Sequence, residues 1–180
     1  WVPGGAAGNT VFGLANFGLP VAMYSKIGRD EQGDFYRRSL VELGGSDDEF
    51  VTTDEAATGC CISLITPDSE RTMRSYLGAS QLSTSVNAGQ IDFSRYELVY
   101  IEGYLLFLGD FVETVMRRAK EAGCKIALDL ASFEVVKIFH DTLIPMLQDY
   151  VDLVFANEDE AAALFGGGLT EEEMARKLGA

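Results

Sequence analysis

The sequence predicts an α/β fold whose sheet is mostly parallel. Three observations carry that reading. Short apolar runs at 98-LVYIEG-103, 125-KIALDL-130 and 151-VDLVFAN-157 alternate with longer amphipathic stretches. The runs are apolar on both faces, as strands covered by helices on two sides must be. Glycines close several of the amphipathic stretches, the usual chemistry of a helix C-terminus.

The elements follow in order. Segment 9-NTVFGLANF-17 has apolar residues at Val11, Leu14 and Ala15, with Gly18 and Pro20 as stop signals, and predicts a helix. Next, 20-PVAMYSKIG-28 is short and apolar and predicts a buried strand. A turn at 28-GRDEQG-33 leads into a helix through Phe35, Leu40 and Leu43, closed by Gly44 and Gly45. Residues 58-TGCCISLIT-66, a turn at 67-PDS-69 and 70-ERTMRSY-76 predict a β-hairpin, which belongs to a separate small sheet because it interrupts the alternation.

In the second half a helix over about 107–122 places Phe111, Val112, Val115, Met116 and Ala119 on one face. A second helix is expected over about 132–147 and a short one from Glu158 to Phe165. A run at Gly166–Gly168 then leads to a last helix, where Thr170 and Glu173 have capping-box spacing. There are no repeats, low-complexity tracts or linkers.

A chain of 180 residues has the length of one domain or of one large piece of a bigger one. Hydrophobic residues make up 47%, enough for a core and too many for a disordered chain. No segment approaches the roughly 18 to 20 apolar residues of a membrane span, and no signal sequence is visible. The net charge of −14 repels a phosphate backbone, so nucleic acid is not expected as a partner. Cys60, Cys61 and Cys124 show neither a disulfide framework nor zinc spacing, which predicts a reducing, cytoplasmic setting. His140 is the only histidine and reads as a surface helix residue, which excludes multi-histidine metal sites. The chain starts at Trp1 inside a loop rather than at Met, and the alternation is unfinished at Ala180. An incomplete domain over 1–180 is expected, with its C-terminal part missing.

Four places could carry chemistry. The small-residue bend 3-PGGAAGN-9 lets a ligand approach the backbone, and Asn9 has donors and an acceptor suited to a diol; alternatively, Gly4 and Gly5 make a tight turn and Asn9 is an N-cap. At the end of the last strand, Asn157 and Glu160 are three residues apart, where open α/β sheets bind ligands; the plain alternative is an acidic first helical turn. Arg71 and Arg74 could meet an anion or simply be solvated. Glu102 and Asp129 end otherwise apolar strands.

These residues in this order resemble the ribokinase-like sugar and nucleoside kinases, the PfkB family. The resemblance rests on 4-GGAAGN-9 with Gly18 and Gly28, on 27-IGRDEQG-33, on 59-GCCISLITPDSERTM-73 with 78-GAS-80, on 101-IEGY-104, and on 157-NEDE-160, which matches N-x-x-E. Val11 departs from it, because a small residue is usual there. The tone of 70-ERTMRSYLGAS-80 is similar to the adenosine-kinase-like branch.

The likeness implies a three-layer ribokinase-like core with a small β lid, its strands around 20–26 and 58–76. It implies ATP and Mg²⁺ as cofactors and a sugar or nucleoside as acceptor, phosphorylated on a hydroxymethyl group. Gly4, Gly5, Asn9 and Asp30 would bind the acceptor, Arg71 and Asn157 would meet phosphate, and Glu160 would serve the metal. A homodimer through the lid is compatible with it. The family's catalytic aspartate lies in a C-terminal G-A-G-D motif that is absent here, and is expected beyond Ala180. The rival reading is a non-catalytic ligand-binding or regulatory module on the same scaffold. An oxidoreductase is disfavoured because no dinucleotide fingerprint occurs.

Overall fold

The structure is a computed structural model that describes residues 1–166 and 168–178. The expected glycine run at 166–168 and the terminus at Ala180 thus fall partly outside the described residues. The chain divides into two compact units, Trp1–Ser83 and Thr84–Ala180.

The first unit opens with α1 (Ala6–Asn16) and continues through β1 (Ser25–Gly28), α2 (Glu31–Glu42), β2 (Phe50–Thr53), β3 (Cys60–Ile65) and β4 (Arg71–Tyr76). Strands β1 and β2 pair in parallel, Ser25 opposite Phe50 through Gly28 opposite Thr53. The strand expected over 20–28 is therefore shorter, with Ala22 adding one isolated bridge to Ser46. Strand β2 is not predicted from the sequence, since its four residues 50-FVTT-53 have no apolar alternation. Helix α1 starts three residues earlier than expected, because Gly5 takes φ 93° and turns the chain just before Ala6. Asn9 is thus inside the first turns of the helix and is not its N-cap, which is Gly5. Strands β3 and β4 form the expected antiparallel hairpin, Cys60 opposite Tyr76 and Ile65 opposite Arg71. Every residue of both strands is exposed.

The second unit carries the regular alternation: β5 (Leu98–Glu102), α4 (Phe111–Glu121), β6 (Lys125–Asp129), α5 (Phe133–Asp149), β7 (Leu153–Phe155), α6 (Glu158–Phe165) and α7 (Glu171–Leu178). A four-residue helix α3 (Ser85–Ala88) precedes them. The sheet is parallel with β6 in the middle, Glu102 opposite Asp129 and Asp129 opposite Phe155. The helix expected from about 107 starts at Phe111 instead, because residues 103–108 form a separate 3₁₀ segment ended by Gly109 at φ 65°.

All five residues expected on the apolar face of α4 are buried. They form a core with Ile126 and Leu128 of β6 and with Val135, Val136 and Leu143 of α5, all 2% exposed or less. Asp152 ties this layer together. Its Oδ2 accepts from the Lys120 ammonium and from the Ile126 N–H, both at 2.7 Å, and the lysine contact first of all holds its carboxyl below the ordinary range. The buried Cys124 thiol donates to the carbonyl of Phe93 at 3.2 Å and of Tyr96 at 3.0 Å, a structural role. Thr170 and Glu173 make the expected capping box at α7.

His140 is a tie between helices and more than a surface residue. Its Nε2 lies 2.9 Å from the carbonyl of Leu164 at the end of α6, and its Nδ1 lies 3.3 Å from the Asp141 carboxylate. The carbonyl contact first, then Asp141, raises the histidine above its ordinary 6.5. A histidine raised on folding stabilises the fold fully below its unfolded pKa, and that contribution disappears as pH climbs through the folded value.

Two measurements follow. His140→Gln lowers the thermal midpoint more at pH 5.5 than at pH 8.5, and an equal loss at both refutes the charged tie. Leu128→Ala, at a site 0% exposed, costs about 2–5 kcal/mol by chemical denaturation.

Candidate functional site

In the first unit the small-residue bend rests on Tyr36 of α2. The Tyr36 hydroxyl donates to the Gly4 carbonyl at 2.9 Å, and a side chain at the buried Gly8 would strike that same hydroxyl. Phe12 packs edge-on against the Tyr36 ring at 5.3 Å between centroids. Gly4 and Gly5 have open space where a Cβ would stand, and Asn9 is exposed. The bend thus offers bare backbone and one amide side chain to solvent, an arrangement able to hydrogen-bond a polyol. Tyr36 lies on the Leu40 face of α2, four residues before it, and nothing in the local pattern of the helix points to Gly4 as its partner.

Asp30 is engaged internally. As the N-cap of α2 its Oδ1 accepts from the Gly33 N–H at 2.8 Å and from the Thr58 hydroxyl at 2.6 Å, and its Oδ2 accepts from the Thr58 N–H at 2.7 Å. Burial alone would raise its pKa, but the donors of Thr58 and Gly33 outweigh burial and hold the carboxyl below its ordinary 3.8. Arg71 and Arg74 are both exposed on β4, on opposite faces of the strand because successive strand residues alternate. Arg71 shares its face with Cys61, Ser63, Ile65, Met73 and Ser75.

In the second unit the C-terminal edge of the sheet gathers Glu102, Asp129 and the turn into α6. Asp129 accepts from the Tyr100 hydroxyl through Oδ2 and from the Ala131 N–H through Oδ1, each at 2.8 Å. That second bond holds Ala131 at φ 68°, a conformation that costs a non-glycine residue energy. Gly103 lies against the same turn, where a Cβ would meet the Asp129 and Leu130 carbonyls at 2.9 Å.

Asn157 and Glu160 form a reciprocal capping box. Asn157 Oδ1 accepts from the Glu160 N–H at 2.9 Å, while the Glu160 carboxylate accepts from the Asn157 N–H at 2.9 Å and from its Nδ2 at 2.8 Å. Glu160 is 5% exposed. Their i, i+3 spacing predicts a shared direction, and in the structure each residue satisfies the other. Among the described residues no group of three or more His, Cys, Asp or Glu could hold a metal ion. Those donors do not make an all-protein cage for a metal ion. Among the described residues no helix is long and apolar enough to cross a membrane.

Comparison with known proteins bears directly on this geometry. The family described as "pfkB family carbohydrate kinase" matches residues 2–180. An adenosine kinase of Dictyostelium discoideum is 29% identical over 91% of the chain, and a ribokinase of Haemophilus influenzae is 28% identical over 97%. The crystal structure of adenosine kinase from Sinorhizobium meliloti superposes with a TM-score of 0.80 at 28% identity, covering 94% of the chain. The chain spans about half the length of these relatives, 50%, 55% and 52% respectively. The fold is α/β and ribokinase-like, and the chain belongs to the pfkB family of carbohydrate kinases.

Proposed function

We propose that the full-length protein is an ATP-dependent phosphotransferase that phosphorylates the hydroxymethyl group of a sugar or ribonucleoside. The observation that carries this reading is the family match over residues 2–180, in which Asn157 and Glu160 stand together at the end of β7. Similarity to an adenosine kinase and to a ribokinase supports an acceptor from either class.

In this reading Gly4 and Gly5 present backbone groups to the acceptor, and Asn9 hydrogen-bonds its hydroxyls. Arg71 lies beside the transferring phosphate and offsets the charge that develops there. Asn157 meets phosphate. Glu160, fixed by Asn157, would serve Mg²⁺ through water when the ion is bound. Mg²⁺, when bound with the nucleotide, would neutralise phosphate charge. The carboxylate that takes the acceptor's proton is not among these residues, since no G-A-G-D motif occurs in the chain. A cytosolic setting is consistent with three free cysteines among the described residues. The unpaired outer edges of the β3–β4 hairpin offer a route to a homodimer.

The test is ADP release by the full-length protein with ribose, fructose, ketodeoxygluconate, adenosine, inosine and cytidine. One or two acceptors stimulate turnover, and residues 1–180 alone do not turn over. A flat response to all acceptors supports a non-catalytic binding module instead. In the active protein Arg71→Gln lowers kcat by at least about tenfold with an unchanged thermal midpoint. Glu160→Gln keeps a capping acceptor but removes the charge, and raises the Mg²⁺ concentration for half-maximal rate by about tenfold. An unchanged Mg²⁺ dependence removes Glu160 from the metal's surroundings.

A further inference from the structure

The β3–β4 hairpin has no packing of its own to aim it. All twelve residues of its two strands are exposed, so its direction is fixed where it joins the body of the first unit. That root is narrow and tightly built. The Ala79 N–H donates to the Ala57 carbonyl at 2.8 Å. A side chain at Gly59 would come within 2.6 Å of the Leu77 carbonyl oxygen, and one at Gly78, which holds φ +55°, would strike the Ala57 carbonyl. The two arms therefore cross backbone against backbone.

One arm is held by a single carboxylate. Asp30 accepts both the N–H and the hydroxyl of Thr58, the residue immediately before Gly59, while also capping α2 through Gly33. The Thr58 hydroxyl in turn accepts from the Gly28 N–H at 3.0 Å, at the end of β1. Strand end, helix start and hairpin root thus meet on two side chains. Gly28 leaves room for this, since a Cβ there would fall 2.6 Å from Asp30 Oδ2 and 2.6 Å from the Thr58 nitrogen. The other arm runs on to residues held by β1 and the segment before it, where Lys26 donates to the Leu82 carbonyl at 2.9 Å and Tyr24 to the Ser83 hydroxyl at 3.0 Å.

We propose that Asp30 is a positioning residue that, through Thr58, anchors the hairpin root and so aims the strand carrying Arg71. Three donors already engage its carboxylate, and direct contact with the acceptor is the alternative that the test separates from anchoring. The proposal rests on the kinase reading only for its effect on rate; the anchoring itself does not depend on it. Only an ionised carboxylate accepts from all three donors at once. An asparagine would turn an amide N–H toward the N–H of Thr58 or the hydroxyl.

The test uses the full-length protein and three variants, Asp30→Asn, Thr58→Val and Thr58→Ser. Hydrogen–deuterium exchange is followed over 57–59 and 77–79, with kcat and acceptor KM measured in parallel. Asp30→Asn and Thr58→Val speed exchange at the root by about tenfold, while Thr58→Ser, which keeps the hydroxyl, stays near the parent. In the kinetics Asp30→Asn lowers kcat by about tenfold in the parent but by little in an Arg71→Gln background, because both changes act through one arginine. Unchanged root exchange in Asp30→Asn and Thr58→Val overturns the anchor. Unchanged exchange with a raised acceptor KM returns Asp30 to direct acceptor binding. If Asp30→Asn does not fold, the contrast between Thr58→Val and Thr58→Ser decides alone. A parent without turnover refutes the kinase reading, and the exchange result still decides the anchor.

Discussion

A carboxylate that must stay ionised organises the first unit. Asp30 accepts three hydrogen bonds from two residues, and these donors come from the start of a helix and the root of a hairpin. Each bond to a charged acceptor contributes about 1.5–3 kcal/mol, roughly twice a neutral one. Removing the charge would leave several donors unmatched at once, which is why such a junction is either whole or lost. Its pKa lies below 3.8, so the contribution is complete above that value and fades only as pH falls through the lower folded value.

The second unit solves a similar problem with different chemistry. A parallel strand that turns at once into a helix leaves helix N–H groups without partners. At the end of β7 the Asn157–Glu160 box supplies one partner in each direction; at the end of β6 Ser132 accepts the Val135 N–H of α5, while Asp129 accepts the Ala131 N–H in the turn before it. The residues that finish these strands are therefore first of all structural. Their fixed geometry is also what makes them suitable to meet a ligand, since a side chain already locked by hydrogen bonds need not be ordered on binding.

Much of this could be read from the sequence. The apolar face of α4 was legible because Phe111, Val112, Val115, Met116 and Ala119 follow the helical period. The hairpin was legible because two strand-like runs flank Pro67 and Asp68. Strand β2 was not, because four residues give no period to count, and the start of α1 was not, because Gly5 makes the turn that Asn9 seemed suited to make. Of the site, the pairing of Asn157 with Glu160 was visible as i, i+3 spacing. The partners Tyr36 and Thr58 were not visible, since each lies at least 28 residues from the residue it holds.

The vicinal thiols of β3 have a consequence of another kind. Cys60 and Cys61 are neighbours in sequence, yet an extended strand sends consecutive side chains to opposite sides of the ribbon. The sulfur of Cys61 lies 3.4 Å from the Ser75 hydroxyl on one side, while Cys60 stands across from Tyr76 on the other. A bond between them would need the two Cβ atoms to come within about 4.5 Å on the same side, which the pleat forbids. Air oxidation of this ribbon would therefore couple one molecule to another and not close a ring within a single chain.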